Sequence, residues 1–236
     1  MNFFDLQIQS TASDGKHTPR EIVQMARHGN LSVIALTDHD TVDGVQEALL
    51  AGGEFGVRVI PGIEISVEEH EAHILGLGLD HNNSELLSYC REAKKKRIEG
   101  AQKMLENLKN AGFVVEWTDV SKEARGGVVA RPHISRAILN REENQDKLGG
   151  VSTVHDFIEK YLGNDSPYYV KRSHISAKNA IELIHGACGI AVWSHPAIHF
   201  QYDYEGLEKF LGELITWGID GMETFTPSHT EDDVEF

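Results

Sequence analysis

Several side chains that could bind metal ions lie at or just after apolar runs that are typical of buried β-strands. His39 follows LSVIAL, Glu64 lies near the end of VRVIPGIEIS, and His195 follows IAVWS. In β/α barrels the carboxyl ends of the strands face one rim and build the active site, so we expect these residues to converge. The candidate metal ligands are Asp14, His39, Glu64, His73 and His195.

Imidazole and carboxylate groups form a ligand set that suits Zn, Mn or Fe. A site with more than one such ion supplies hydroxide near neutral pH and clamps a phosphoryl group, so phosphoester hydrolysis fits these parts. Each histidine taken alone could equally be a surface or core residue, because the sequence contains no dense HxxxH or CxxC signature.

The elements that must position these residues alternate between strand and helix patterns. TPREIVQMARHGN predicts a helix with a capping box, with Thr18 as N-cap, Pro19 at N1, Glu21 at N3 and Gly29 at its end. The strand LSVIAL, the helix VQEALLAGG, the strand VRVIPGIEIS, the strand HILGLGL and a long helix over 84–111 follow. This serial alternation favours a parallel sheet or barrel covered by helices.

From about 113 to 170 the pattern changes to a short strand, FVVEW, followed by helices at 132–140 and in TVHDFIEKYLG. This segment predicts a helical insertion, after which the alternation resumes with SAKNAIELIHGACG, IAVWSHP, YEGLEKFLGELITWG and DGMETF. We expect a barrel domain over 1–80 and 173–236 and a helical cap domain over 81–172.

The composition narrows the function classes. Lys plus Arg is 22 against 37 for Asp plus Glu, and the resulting net charge of −15 disfavours a broad surface for duplex nucleic acid. The sequence has no apolar run of the roughly 20 residues that a membrane span requires and no signal peptide pattern, so we expect a cytoplasmic protein. Cys90 and Cys188 form neither a disulfide framework nor a CxxC zinc motif.

Together, several motifs resemble the PHP (polymerase and histidinol phosphatase) family of metal-dependent phosphoesterases, in the branch that acts on nucleotide phosphates and short RNA ends. They are DLQIQSTASDG, the segment from TPREIV through TDHDTVDG, VIPGIEIS, HILGLGLD, ARPHISRAIL, YLGNDSPYYVKR, AVWSHP and GIDGMETFTPSH. The resemblance implies a distorted (β/α)7 barrel with two or three divalent ions and a small helical insertion that caps the site.

By this resemblance, Asp14, His39, Glu64, His73 and His195 are metal ligands, and Glu64 bridges two ions. Glu64, His39 and His195 are thereby also the candidate catalytic residues. The insertion is expected to bind phosphate through Arg131, His133, Lys171 and Arg172. Arginine suits this task because its planar guanidinium group donates two parallel hydrogen bonds to phosphate oxygens. Alternatively, Arg131 and His133 are polar surface residues at the start of a helix and bind no phosphate.

Asp38 and Asp40 flank His39 and allow two interpretations. Either carboxylate could accept a hydrogen bond from the His39 ring and orient it, as partners of metal-bound imidazoles usually do. Either could instead lie in a solvated turn or cap a helix.

The sequence departs from the family pattern at both ends. The family begins with a strand that carries His-x-His, whereas this chain has Gln7 and Gln9 there, and a neutral amide oxygen is a poor ligand for a transition ion. Family members also continue to a strand with an Asp-x-His pair, and this chain ends at Phe236, so we expect the last barrel unit to be missing.

Three functions follow as hypotheses. The first is metal-dependent hydrolysis of a nucleotide phosphomonoester, or of the terminal phosphodiester of a short oligonucleotide, by a metal-bound hydroxide. The second is a catalytically impaired relative that binds a nucleotide or a protein without turnover, which the two glutamines motivate. The third, hydrolysis of a non-phosphate substrate, is disfavoured by the basic residues in ARPH and YVKR.

Overall fold

The computed structural model describes residues 3–124, 129–171, 173–200 and 203–235. The strands are β1 Phe3–Ile8, β2 Leu31–Leu36, β3 Arg58–Ser66, β4 His73–Leu77, β5 Ile190–Ser194 and β6 Gly221–Met222. The helices are α1 Pro19–His28, α2 Val45–Phe55, α3 Ser84–Asn110, α4 Trp117–Glu123, α5 Arg131–Leu139, α6 Gln145–Leu148, α7 Val154–Tyr161, α8 Ala177–Gly186, α9 Pro196–Phe200, α10 Tyr204–Thr216 and α11 Glu231–Glu235.

Internal contacts divide the chain into two compact units. The first comprises Met1–Arg91 and His174–Phe236, and the second comprises Glu92–Ser173. The first unit contains the whole sheet, and the second has a helical core around Phe113, Ile134 and Phe157. The assignment of 81–172 as a cap domain stays a prediction.

The sheet of the first unit confirms the α/β class. Its strands lie side by side in chain order, from β1 to β6. Apolar residues of one face pack against helices, with Ile63, Ile74 and Trp193 in one cluster and Ile34 and Leu36 in another. The Gln7 side chain, just before the end of β1, reaches the hydroxyl of Ser194 at the end of β5, 2.7 Å away. The sheet must therefore curve, because these two strands are not neighbours in it.

The expectation of an all-parallel sheet is wrong at β4. This strand is antiparallel to both β3 and β5, whereas β1, β2 and β3 are mutually parallel and β5 is parallel to β6. The physical reason is the short connection between β3 and β4, from Val67 to Ala72, since a parallel crossover needs a dozen or more residues.

The predicted capping box of α1 is confirmed. The Thr18 side chain accepts a hydrogen bond from the Glu21 backbone N–H at 3.2 Å, and the Glu21 carboxylate accepts one from the Thr18 N–H at 2.8 Å. Pro19 occupies the first turn and Gly29 ends the helix. These contacts are local, which is why the sequence alone predicted them.

The predicted strand FVVEW is wrong. Residues 113–116 belong to no strand, and Trp117 already begins α4. The buried Asn144 takes the place of a neighbouring strand. Its side-chain oxygen accepts from the Val114 N–H at 2.7 Å, and its side-chain nitrogen donates to the Val114 carbonyl at 2.9 Å.

No helix in the described part of the chain is both long enough and apolar enough to cross a lipid bilayer.

Candidate metal centre

The centre of the candidate site is Glu64 on β3, whose side chain is fully buried. Its backbone is fixed between the two residues that flank His39: the Glu64 N–H donates to the Asp38 carbonyl at 3.1 Å, and the Glu64 carbonyl accepts from the Asp40 N–H at 2.9 Å. These two bonds form a parallel β-bridge between His39 and Glu64, which fixes the backbone that carries the carboxylate.

Two imidazoles converge on one oxygen of this carboxylate. His195 Nε2 lies 3.0 Å and His73 Nδ1 lies 3.3 Å from Glu64 Oε1. The two nitrogens are themselves 3.3 Å apart. His73 is the first residue of β4 and His195 follows β5, so the ends of three neighbouring strands supply these three atoms.

His39 lies on the other side of the carboxylate. Its Nδ1 is 3.7 Å from Glu64 Oε2, beyond hydrogen-bond distance, and it is buried without a hydrogen-bond partner in the described structure. The rings of His39 and His73 are neighbours, with centroids 4.9 Å apart.

Burial and hydrogen bonding shift the acid–base properties of the cluster. Burial raises the pKa of Glu64, but the hydrogen bond from His195 and the neighbouring imidazoles outweigh it and bring that pKa down to about 2. Burial lowers the pKa of His73 to about 3 and that of His199 to about 4. At neutral pH, Glu64 is thus an anion and these two imidazoles carry lone pairs, as metal ligands require.

Gln7 and Gln9 point their amide groups at Glu64. Gln7 Nε2 lies 3.1 Å from Oε1 and 2.7 Å from the Ser194 hydroxyl, and Gln9 Nε2 lies 2.6 Å from Oε2. The amide nitrogens must face the carboxylate because an ionised carboxylate only accepts hydrogen bonds. The two glutamines therefore occupy the predicted positions and act there as hydrogen-bond donors.

The residues present fit a divalent ion. Atoms that bind one ion at bond lengths of about 2.0–2.1 Å lie about 3.3 Å apart in a tetrahedral site, which matches the triangle of Oε1, His73 Nδ1 and His195 Nε2. The ion-pair partners described for the buried Glu64 are titratable imidazoles, with no Lys or Arg among them. A buried charge requires compensation, and a divalent cation supplies it.

The described hydrogen bonds of Asp38 go to the loop after β1 rather than to the His39 ring. The Asp38 oxygens accept hydrogen bonds from the Ser10 N–H at 2.7 Å, the Ser10 hydroxyl at 2.7 Å and the Ser13 hydroxyl at 2.6 Å. Asp38 thereby ties the loop after β1 to the end of β2. The role of Asp38 at the site stays a prediction.

Asp40 has a different set of partners. It accepts hydrogen bonds from the Tyr89 hydroxyl at 2.6 Å and the Ser66 N–H at 3.1 Å. These bonds tie the turn after His39 to the end of β3 and to α3. Asp40 itself has a φ of 54°, which few residues other than glycine adopt.

The remaining predicted site residues have the following described environments. Asp14 is exposed and accepts a 3.4 Å hydrogen bond from Ser13. In the second unit, Arg131 donates to the Leu162 carbonyl and to Asn164, both at 3.2 Å, and stacks over Tyr169. The buried His133 accepts the Ala130 N–H through Nδ1 at 2.9 Å. Lys171 is exposed, and Arg172 lies outside the described residues. Their roles stay predictions.

Sequence reasoning missed His199, whose Nε2 lies 3.2 Å from Nδ1 of His195. His73, His195 and His199 can each offer a ligand atom within 4.8 Å of the others. The available signal was the H-P-x-x-H spacing, because a proline that starts a helix directly after His195 places His199 one turn later on the same face.

Glu223, which directly follows β6, also contributes to the cluster. One of its oxygens accepts from the His195 N–H at 2.9 Å and from the Ser194 hydroxyl at 3.1 Å. These bonds hold the backbone that presents the His195 ring.

Comparisons with known proteins agree with this geometry. The PHP domain family matches residues 5–218. A 5'-3' exoribonuclease of Haemophilus influenzae is 33% identical over 231 residues, covering 97% of this chain and 81% of the relative. A 3',5'-nucleoside bisphosphate phosphatase of Chromobacterium violaceum is 30% identical over 240 residues, covering 98% and 79%.

A solved structure from Bifidobacterium adolescentis, of a protein proposed to be a metal-dependent phosphoesterase, superposes with a TM-score of 0.84 at 27% identity, over 99% of this chain and 81% of that one. Fold, site and sequence therefore agree, and the chain belongs to the PHP domain family, among relatives that are hydrolases of phosphoester bonds.

Proposed function

We propose that this chain is a metal-dependent hydrolase of nucleotide phosphomonoesters, or of the terminal phosphodiester of short oligonucleotides. The observation that carries the proposal is the convergence of His73 and His195 on one oxygen of the buried Glu64. The names of the relatives support a phosphorylated nucleotide or RNA end as the substrate class.

In this proposal Glu64, His73 and His195 hold the ion, which Mn, Zn or Fe would suit by ligand type. When bound, such an ion would act as a Lewis acid that lowers the pKa of a water molecule and offsets negative charge on the phosphoryl group. Gln7 and Gln9 hold the Glu64 carboxylate in one orientation, and Glu223 holds the His195 backbone. Arg131, His133, Lys171 and Arg172 are the proposed phosphate-binding residues.

The hydrogen bonds from the Gln7 and Gln9 side chains to Glu64 also favour a second candidate, a protein that binds a nucleotide without turning it over. Gln7 and Gln9 satisfy part of the charge that would otherwise attract ions. The two candidates differ in whether inorganic phosphate or a mononucleotide is released.

The test measures release of phosphate from a nucleoside 3',5'-bisphosphate and a 5'-monophosphate, and of mononucleotides from a 5'-phosphorylated trinucleotide, with added Mn²⁺. We expect release that a chelator abolishes and that Glu64→Gln lowers at least about 100-fold, since even residues that only orient metal ligands contribute about 10- to 100-fold. Glu92→Gln removes an exposed carboxylate on α3 and is the matched control. Nucleotide binding without release would favour the second candidate, and release that survives Glu64→Gln would contradict both the site and the proposal.

A further inference from the structure

We infer that the centre holds a single divalent ion, on Glu64 Oε1, His73 and His195, and that the amide of Gln9 keeps a second ion away from Glu64 Oε2. This inference rests on the metal dependence in the proposed function and concerns the number of ions rather than the substrate.

The orientation of the two amides is set by the carboxylate between them. Turning the Gln9 amide over would place its oxygen where Nε2 now lies, 2.6 Å from the anionic Oε2, and two acceptors at that distance repel each other. Gln7 is fixed in the same way, because its nitrogen donates both to Oε1 and to the Ser194 hydroxyl. An amide nitrogen has no free lone pair for a metal, so neither glutamine is a ligand in this arrangement.

The Oε1 side of the carboxylate still accommodates an ion. An ionised carboxylate oxygen has two lone-pair positions, so Oε1 can accept the Gln7 bond and bind a metal. The other two ligand atoms, His73 Nδ1 and His195 Nε2, lie at 3.3 and 3.0 Å from Oε1.

Among the described residues, no comparable set of ligand atoms surrounds Oε2. His39 Nδ1, 3.7 Å from Oε2, is the imidazole nitrogen that faces it, and the short bond from Gln9 occupies the oxygen itself. A second ion would have to break the hydrogen bond from Gln9, and its ligands from the described part of this chain would be only the His39 imidazole and one oxygen of the shared Glu64 carboxylate.

Gln9 is also held in place by the loop that follows it. The Gly15 N–H donates to the Ser10 carbonyl at 2.9 Å. A Cβ at Gly15 would collide with the Gln9 carbonyl oxygen, so the loop packs directly against the Gln9 backbone because residue 15 is glycine. The Gln9 backbone is therefore fixed, and this positions the Gln9 side-chain amide to contact Glu64.

The experiment counts bound ions without using activity. The chain is stripped of metal with a chelator and titrated with Mn²⁺ by calorimetry, the bound metal is measured by mass spectrometry, and Mn²⁺ EPR reports whether two ions share a bridging ligand. We expect one ion per chain and an uncoupled spectrum in the wild-type protein, and two ions with a coupled spectrum in Gln9→His, which replaces the blocking amide with a ligand. Gln102→His adds an imidazole on an exposed position of α3 and should leave the count at one.

Two or more ions in the wild-type chain, or none, would overturn the inference. A Gln9→His variant with native circular dichroism that still binds one ion would overturn the role given to Gln9. The wild-type count stands even if that variant fails to fold. One bound ion without phosphate release would leave this inference intact and defeat the proposed function, and release with two bound ions would do the reverse.

Discussion

At the scale of single residues, His195 uses both ring nitrogens and its backbone. Nε2 faces Glu64, Nδ1 faces His199, and the N–H donates to Glu223. Its φ of 32° is a conformation that residues other than glycine rarely adopt, at a cost of about 1–3 kcal/mol. The Glu223 bond helps to offset this cost, so the strained residue is held where its ring meets Glu64.

His199 should determine which nitrogen of His195 is free to bind metal. For Nε2 to offer a lone pair, the proton must lie on Nδ1, which then donates to Nε2 of His199 at 3.2 Å. We expect His199→Ala to lower Mn²⁺ affinity about 10- to 100-fold, and His199→Gln, which keeps an acceptor, to restore part of it. Calorimetry measures both. His155→Ala, which removes an exposed imidazole of α7, is the control, and unchanged affinity in His199→Ala would refute the assignment.

At the scale of elements, short connections set the direction of strands, and single side chains link segments to helices. The connection between β3 and β4 makes β4 antiparallel and thereby places His73 beside Glu64, since Ser66 pairs with His73 in that ladder. In the second unit, Asn144 also donates to the Ile138 carbonyl at 2.9 Å, so one amide links the segment 113–116 to the end of α5.

Replacing Asn144 should destabilise the second unit. Asn144→Leu removes the bonds to both backbone groups of Val114 and leaves polar groups without partners. Leaving a buried hydrogen-bonding group unpaired costs about 1–3 kcal/mol, and we expect a loss of that size in the free energy of unfolding. Urea denaturation measures it. Asn140→Ala, at an exposed position that bonds to Glu123, should cost less than about 0.5 kcal/mol, and equal losses in the two variants would contradict the argument.

At the scale of the whole molecule, the chain is strongly acidic, with a net charge of −15, yet its proposed substrates are anions. Attraction for a phosphate must therefore be local, from a bound ion and a few basic side chains. The buried cluster in the first unit also couples the stability of the fold to pH, because the pKa values of Glu64, His73 and His199 are lowered in the folded state.

The metal-free protein should lose stability as the pH falls below about 6.5. The pKa of His73 drops from 6.5 to about 3 on folding and that of His199 from 6.5 to about 4, so the unfolded chain binds more protons in this window and acid favours unfolding. Glu64, with a pKa lowered from 4.5 to about 2, acts in the same direction only below pH 4.5.

Urea unfolding at pH 7, 5.5 and 4.5 tests this prediction. We expect the free energy of unfolding to decrease across the series, and to decrease less in His73→Gln, which removes one of the titrating groups. The comparison between variant and wild type cancels the contribution of Asp38, whose pKa burial raises. A variant with the same pH dependence as the wild type would contradict the assignment to His73.

The sequence by itself determined the features that depend on neighbours along the chain. The capping box of α1 follows from Thr18 and Glu21, three residues apart, and the buried strands follow from continuous apolar runs. The motifs were also enough to identify the family and to predict Glu64, His73 and His195 as metal ligands, and the structure brings these three together.

Only the tertiary structure decided which partners the polar groups take. Gln9 and Glu64 are 55 residues apart, His195 and Glu64 are 131 apart, and Asn144 and Val114 are 30 apart. No local pattern shows that an amide will donate to Glu64, that a serine loop will bind Asp38, or that the backbone of Val114 will pair with a side chain. Hydrogen bonds are short-ranged, so a long-range partner is fixed only when packing of the apolar core brings the two groups within about 3 Å of each other.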